Sequence, residues 1–233
     1  RRWQQTIRGT GLVYDWQCFF WAVLLCAVWL LQSAQGSILK DRGDFNSNLF
    51  RAGEWWRAFT ATCLHADLEH LGSNLMTGCV FLGLAMASVG AGLALLASAI
   101  AGAAANVAGL WFHSGPYHGL GASGVVMASL GILSVQRVYW QGGQEGLRGF
   151  ALRGFFCALL LLILFGFNPK SDVVVHVAGF CFGALSGLLL QPAVIPSRLR
   201  LRLDLPCKLL FAALLSFAWW KAMSPGKAAI GSL

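Results

Sequence analysis

The sequence predicts an all-α polytopic membrane protein, and its composition carries that prediction. Hydrophobic residues make up 57% and charged residues 11% of the 233 residues, whereas soluble domains average roughly 45–50% and 25%. So few charges cannot cover the surface of a soluble fold, and a chain this apolar does not stay disordered in water. The 28 glycines follow no Gly-X-Y period, which excludes collagen.

Seven apolar runs approach the length of about 20 residues that a helix needs to cross a bilayer core. We expect these helices near residues 18–35, 68–88, 93–112, 121–140, 150–168, 173–191 and 206–223. The connections between them are mostly short, except for 36–67. That connection mixes Trp55 and Trp56 with Arg51 and Arg57, a composition typical of a partly structured element lying in the membrane interface.

Charge predicts the orientation of the chain. The net charge of +8 does not indicate a nucleic-acid partner, because few of the basic residues cluster. Outside the 36–67 connection, most Lys and Arg residues fall on the same predicted side as the N-terminus. Basic loops stay in the cytoplasm, so we expect a cytoplasmic segment at 1–17 and an exterior C-terminus. Residues 192–233 would then form a basic cytoplasmic linker followed by the seventh helix.

Several chemistries are excluded by what the sequence lacks. The seven cysteines form no CxxC pair and have no metal-ligand spacing, so we expect neither a metal nor another cofactor. The His-Glu-x-x-His string of zinc proteases is missing. None of the nine acidic residues lies deep in a predicted span, which argues against an aspartyl protease. Broken helices with buried charges, which are typical of transporters, are not seen either.

Polar residues gather at one predicted depth. The second, fourth and sixth spans all start on the same face of the membrane, and each carries polar residues near its start. These are His70, Asn74, Ser123 and His176. Polar and ionisable groups inside a membrane are costly and are functional candidates by default. The sequence therefore predicts that these four side chains form one constellation.

Ser123 and His176 have the chemistry of a nucleophile and its base. Ser123 lies between Gly121 and Gly124, and flanking glycines leave a serine hydroxyl accessible. His176 precedes a glycine series, and a neutral imidazole is the base that a serine requires. Each pattern alone has a simpler interpretation, since glycine–serine strings also serve helix packing and a lone histidine can be structural.

His65, His70 and Asn74 form a His-x4-His-x3-Asn string at the start of the second span. An amide and an imidazole on one helix face can stabilise a developing oxyanion. Alternatively, His65 ties down the loop and Asn74 bridges two helices. A haem held between His70 and His176 is a further alternative, but it leaves Ser123 and Asn74 without a role.

Four strings occur together in a fixed order, and the ordered set is far more specific than any one of them. They are Glu54-Trp55-Trp56-Arg57, His65-x4-His70-x3-Asn74, Gly121-Ala122-Ser123-Gly124 and His176-x2-Gly179-x3-Gly183. Over residues 18–191 the chain closely resembles the rhomboid family of intramembrane serine proteases. The resemblance implies a rhomboid-like six-helix core at 18–191, with 206–223 as one extra C-terminal transmembrane helix (6+1).

The resemblance also implies roles for individual residues. Ser123 and His176 would form a catalytic dyad, and His70, Asn74 and the Ser123 backbone N–H would form the oxyanion hole. The fifth span would be the lateral substrate gate. Supporting roles fall to His65, Trp56, Arg57, Gly121, Gly124, Gly179 and Gly183. Met127 departs from the family, because many members have an aromatic residue at this position, under the catalytic histidine.

The expected activity is cleavage of transmembrane-anchored proteins near the outer face of a membrane, most simply a bacterial inner membrane. Transmembrane protein substrates and the lipid bilayer are the expected partners. The alternative is a non-catalytic rhomboid-like protein that binds and sorts membrane proteins. Asp172, four residues before His176, has two interpretations. It either caps the sixth span, which we favour, or orients the imidazole as a triad aspartate does.

Overall fold

The computed structural model describes residues 14–141, 159, 163, 172–191 and 195–224. The described residues form nine helices. They are α1 (Cys18–Ala34), α2 (Ser37–Gly43), α3 (Ser47–Arg51), α4 (Arg57–Thr60), α5 (Leu68–Val89), α6 (Ala91–Phe112), α7 (Ser123–Gln141), α8 (Val173–Leu189) and α9 (Ser197–Met223). Apart from two positions, the predicted span at 150–168 lies outside the described residues.

Helices α1, α5, α6, α7 and α8 coincide with predicted spans to within a few residues. Among the described helices, α5 and α6 are long and apolar enough to cross a membrane. Helices α1 and α8 and the 123–136 part of α7 are also apolar but shorter. The predominantly helical fold is therefore confirmed, and the exact number of membrane spans stays a prediction.

Helix α9 begins at Ser197, well before the predicted span at 206, and it continues through Pro206. The sequence before Pro206 alternates Arg with Leu, which a search for apolar runs cannot recognise as helix. Tertiary contacts stabilise it there. The Arg200 guanidinium donates to the carbonyl oxygen of Ser88 in α5 at 3.0 Å, and the Asp204 carboxylate accepts the Gly92 N–H at 2.7 Å.

Helices α7 and α8 approach so closely that their backbones touch. A Cβ atom on Gly179 would lie 2.6 Å from the carbonyl oxygen of Gly124. One helical turn further on, a Cβ atom on Gly183 would overlap the carbonyl of Ala128. Residue numbers rise together in both helices along this glycine seam, so the helices run parallel and start at the same end of the bundle. We call this end the site face.

The 36–67 connection is folded, which confirms the prediction of a partly structured element. It contains α2, α3, α4, a 3-10 helix at Ala61–Cys63 and strand β1 (Phe45–Asn46). β1 pairs antiparallel with β2 (His118–Gly119), so the connection lies at the site face. At its centre Arg57 is buried and ion-paired with Asp44 at 2.8 Å and Glu54 at 2.6 Å. Its guanidinium also donates to two backbone carbonyls in the 36–67 connection, which fixes the shape of the connection.

Helix α9 extends from the far face of the bundle to the site face. Near its start, Asp204 contacts the α5–α6 turn through the Gly92 N–H. Near its end, the Trp219 ring lies so close to Gly43 that a Cβ there would come within 2.7 Å of it. The Arg42 side chain donates to the carbonyl oxygen of Met223 at 2.9 Å. The last helix therefore braces the 36–67 connection from the side.

Candidate active site

Gly121 lies where two of the predicted site residues, His70 and Asn74, come together. It has φ +126°, a conformation that favours glycine, and its N–H donates to the carbonyl of Ala61 at 2.9 Å. A Cβ atom here would lie 2.7 Å from Nε2 of His70 and 3.8 Å from Nδ2 of Asn74. The imidazole and the amide of α5 therefore converge on the backbone two residues before Ser123.

Asn74 is buried, and within the described part of the chain its Nδ2 group has no hydrogen-bond partner. Leaving a buried donor unsatisfied costs free energy, and such exceptions in folded proteins call for an explanation. Because this donor lies beside Gly121, at the approach to Ser123, it is suited to bind an oxygen atom at that place. His70, by contrast, is half-buried.

Ser123 is the first residue of α7 and is half-buried, so its hydroxyl is not sealed in the core. The first N–H groups of a helix have no intrahelical acceptor and carry the positive end of the helix dipole. The Ser123 N–H is one of these groups. A hydroxyl and an N–H group at a helix N-terminus thus occur in the same residue.

His176 lies in the first turn of α8 and is buried. The glycine seam positions it, because a Cβ on Gly179 would press on the Gly124 carbonyl and a Cβ on Gly124 would come within 3.3 Å of the Val175 side chain. Ser123 and His176 adjoin these contacts along the chain. The parallel helices therefore place both residues at the same level of the site face.

His65 supports the site from the 36–67 connection. Its ring lies edge-on to His70, with ring centroids 5.2 Å apart, and its backbone exchanges hydrogen bonds with the Gln32 amide of α1 at 2.7 and 3.3 Å. Burial, with a smaller contribution from the neighbouring His70, lowers the pKa of His65 to about 4. His65 is therefore a neutral, buried neighbour of His70 at neutral pH.

Asp172 caps α8. One carboxylate oxygen accepts the Val175 N–H at 3.2 Å, which confirms the capping role favoured from the sequence. The other oxygen lies 3.3 Å from Nε2 of His113 at the end of α6. Both oxygens are thus engaged in holding the start of α8.

The remaining predicted residues lie around this arrangement. Met127 is buried one turn after Ser123, in the same core cluster as Phe180 of α8. Trp56 is half-buried and immediately precedes α4. Met127 therefore adjoins Ser123 along α7, and Trp56 belongs to the 36–67 connection.

Two polar residues, one in α6 and one directly after it, were not predicted from the sequence. Asn106 is buried, and its Nδ2 donates to the carbonyl oxygen of Ala58 at 3.0 Å, which connects α6 to the 36–67 connection. His113, at the end of the helix, contacts Asp172. A buried asparagine inside an apolar span was a detectable signal. The partner of His113 was not, because it lies far along the chain.

The arrangement supplies a half-buried serine, an imidazole at the same level and convergent N–H donors, which are the components that acyl-transfer chemistry requires. Among the described residues no group of three or more His, Cys, Asp or Glu residues is placed to hold a metal ion. A helical bundle with these components is compatible with the class of membrane-embedded serine hydrolases.

Comparison with known families agrees with this class. Residues 52–193 match the family model of the Rhomboid domain, which is more than half of the chain, so the chain belongs to the rhomboid family. Members of this family are embedded in membranes and are generally serine intramembrane proteases, and the family also has inactive members. A comparison with curated proteins gave no match.

Proposed function

We propose that this protein is an intramembrane serine endopeptidase that uses Ser123 as nucleophile and His176 as general base. The observation that carries the proposal is the buried Asn74 amide, which has no hydrogen-bond partner among the described residues and lies beside Gly121 at the approach to Ser123. An inactive relative has no need for such a costly donor, whereas a protease uses it in the transition state. The family membership of the chain supports the same conclusion.

In the proposed reaction, Ser123 Oγ attacks the scissile carbonyl carbon while His176 takes the hydroxyl proton. The tetrahedral oxyanion is bound by the Asn74 amide, the His70 imidazole and the Ser123 N–H. His176 then gives its proton to the leaving amine. Water enters from the site face and hydrolyses the acyl-enzyme, with His176 again acting as base.

We further propose that the bundle spans the membrane as a six-helix core at 18–191 plus α9. The apolar character of α5 and α6 supports this arrangement, as does the parallel course of α6 and α9 between the two faces. The site face would be exterior, with the N-terminus cytoplasmic. The span at 150–168 would act as the lateral gate, and the 36–67 connection would lie in the outer interface.

The proposed substrates are membrane proteins with a single transmembrane segment. A peptide bond inside a helix is shielded by its hydrogen bonds, so the segment must unwind before Ser123 can reach it. Glycine or proline near the cleavage site lowers the cost of unwinding. We therefore expect substrates with these residues to be cleaved fastest.

The decisive experiment is labelling of the purified protein with a fluorophosphonate probe, which reacts with activated serines. We expect the parent to be labelled and S123A and H176A not to be, and S123A should not cleave a model transmembrane substrate. The matched control is S129A on the same helix, where the hydroxyl contacts Ser98 and the Val125 carbonyl. It should label like the parent.

Labelling of neither the parent nor its variants would instead support a non-catalytic rhomboid-like protein that binds membrane clients. Labelling of S123A at the rate of the parent would refute the assignment of the nucleophile. The double variant S123A/H176A should be no less active than either single variant, since dyad members act as a unit.

A further inference from the structure

A cavity of about 220 Å³ lies between α1 and α9, at the far face of the bundle. Two polar side chains, Gln17 and Lys208, line it. Apolar side chains of α1, α5, α6 and α9 form the rest of the wall, among them Trp21, Leu24, Leu95 and Phe211. Cavities that bind ligands combine apolar walls with a few polar groups that fix the orientation of the ligand. This cavity therefore suits a ligand with an apolar body and one polar end.

The two polar side chains meet at one place in the wall. The Lys208 ammonium donates to Oε1 of Gln17 at 2.6 Å and to the carboxylate of Asp204. An ammonium group has three N–H donors, and the described residues supply these two acceptors. The Lys208 side chain is also partly exposed to solvent. The ammonium group therefore has a third N–H to donate to a ligand at this end of the cavity.

The polar end of the cavity carries a positive charge. Arg200, Asp204 and Lys208 follow one another at four-residue spacing on one face of α9, so two cations flank one carboxylate. Asp204 also accepts the Gly92 N–H, and the N-terminus of α6 adds a partial positive charge there. Asp15 accepts a backbone N–H at the start of α1 at 2.9 Å, where the dipole of that helix offsets its charge. This end is therefore complementary to an anionic group.

The apolar space continues from this end toward the site face. A smaller cavity of about 20 Å³ adjoins the first, and both are lined by Trp21, Leu24, Leu95 and Phe211. Cys63, in the 36–67 connection, lines the opposite end of the smaller cavity. We call the two cavities together the α1–α9 groove. The groove is charged at the far face and apolar along the helices, which is the pattern that a lipid with an anionic head group requires.

We propose that the α1–α9 groove binds an anionic phospholipid, with one acyl chain between α1 and α9 and the phosphate group at Lys208. Members of the rhomboid family are embedded in membranes, so lipids surround the groove, and its charged end selects among them. The far face is the predicted cytoplasmic face, where the leaflet is rich in anionic lipids. The proposal goes beyond the proposed function and holds whether or not the protein is a protease.

Native mass spectrometry of the detergent-solubilised full chain, with equal amounts of dioleoyl-phosphatidylglycerol and dioleoyl-phosphatidylcholine, measures the preference for the anionic lipid. We expect K208Q to lower this preference about fivefold, the usual effect of one basic residue near a head group. D204N, which keeps an oxygen for the Gly92 N–H, should raise it by a similar factor. The matched control is R202Q, because Arg202 is an exposed cation of α9 outside the cavity wall. It should change the preference by less than about twofold.

The opposite signs of these two changes separate lipid recognition from a purely structural role. K208Q and D204N break the same ion pair, so a loss of structure would shift the lipid preference of both variants in the same direction. Recognition of an anion by the ammonium group shifts them in opposite directions. A shift in the same direction, or no shift in either variant, would overturn the proposal.

A second variant tests the position of the acyl chain. Leu95 lines both cavities, so L95W should fill the groove and lower the binding of both lipids about tenfold. L209W, at an exposed position of α9, is the matched control and should bind lipid like the parent. Unchanged binding by L95W, or equal binding of the two lipids by the parent, would overturn the proposal. Binding of neither lipid by the parent would indicate that a segment of the protein fills the groove, and would overturn it as well.

Discussion

The buried side-chain amide of Asn74 costs the fold stability, and in the proposed reaction it would serve as a hydrogen-bond donor. Its Nδ2 is buried and without a partner in the described part of the chain, and it faces the backbone at Gly121. A residue chosen for stability alone would be apolar or hydrogen-bonded at this position. Under the proposed function, the amide at this position would bind an oxyanion that is present only during the reaction.

Asn74→Ala should therefore lower kcat by about 10²–10³, the usual loss for one oxyanion donor, and should leave KM nearly unchanged. Steady-state cleavage of a model transmembrane substrate measures both constants. S73A is the matched control, because Ser73 is the exposed neighbour on the same helix, and it should behave like the parent. A raised KM with kcat intact would make Asn74 a substrate contact or a helix bridge instead.

The buried histidine His65 makes the stability of the fold depend on pH. Its pKa in the folded protein is about 4, below the value of about 6.5 for an unfolded chain, so the unfolded state binds the proton first. Stability due to this residue is complete above pH 6.5 and falls as the pH decreases toward 4. The loss at pH 5 is on the order of 2 kcal/mol.

His65→Gln should flatten the decrease in stability between pH 7 and 5. The measurement is the free energy of unfolding by denaturant in detergent at several pH values. Ser73→Ala, at an exposed residue that does not titrate, serves as control and should keep the slope of the parent. Parallel slopes for the parent and H65Q would contradict the buried, neutral state of His65.

At the scale of elements, the packing of α7 against α8 brings two motifs that are far apart in the sequence to the same end of the bundle. The glycines allow backbone contact, so Ser123 and His176 are held by main-chain packing instead of by flexible side chains. Gly183 tests the importance of this backbone contact most directly, because a Cβ atom at this position would overlap the carbonyl of Ala128. Backbone atoms cannot move aside as the end of a side chain can.

Gly183→Ala should cost about 1–3 kcal/mol of stability and slow fluorophosphonate labelling, because α8 must move away from α7. Gly72→Ala is the matched control. Gly72 lies in α5 between His70 and Asn74 and has open space around it. G72A should be neutral or more stable by up to about 1 kcal/mol, since alanine favours helix. Equal stability of G183A and the parent would show that α7 and α8 can accommodate a methyl group at the glycine seam.

At the scale of the whole molecule, α9 links the two faces of the bundle. It is bound to the α5–α6 turn through Asp204 and to the 36–67 connection through Trp219 and Met223. The site face and the far face are therefore defined by the fold alone. Which face is exterior depends on how the protein is inserted in the membrane. The distribution of basic residues predicts that the site face is exterior.

Cysteine labelling in intact cells tests that orientation. In a background without the native cysteines, Gly115→Cys in the loop at the site face should react with a membrane-impermeant thiol reagent. Arg198→Cys, an exposed position at the far face, should react only after the cells are opened. The cysteine-free background controls for non-specific labelling. The reverse pattern would place Ser123 on the cytoplasmic side and overturn the substrate proposal.

The sequence by itself determined the helical class, the positions of five apolar helices and the ordered motifs that join Ser123, His176, His70 and Asn74. These features depend on local composition and spacing, which are readable along the chain. It did not reveal the early start of α9, because the alternation of Arg and Leu has no apolar run and the helix is stabilised by contacts with α5 and α6.

Only the tertiary structure decided which distant atoms meet. The approach of His70 to Gly121, the seam between Gly124 and Gly179, and the contact of His113 with Asp172 all join residues on separate elements. Such contacts depend on how close two backbones come and which way each helix is turned, and neither is encoded in local spacing. The sequence motifs thus identified the candidate residues, and the packing of the helices determined the relative positions of these residues.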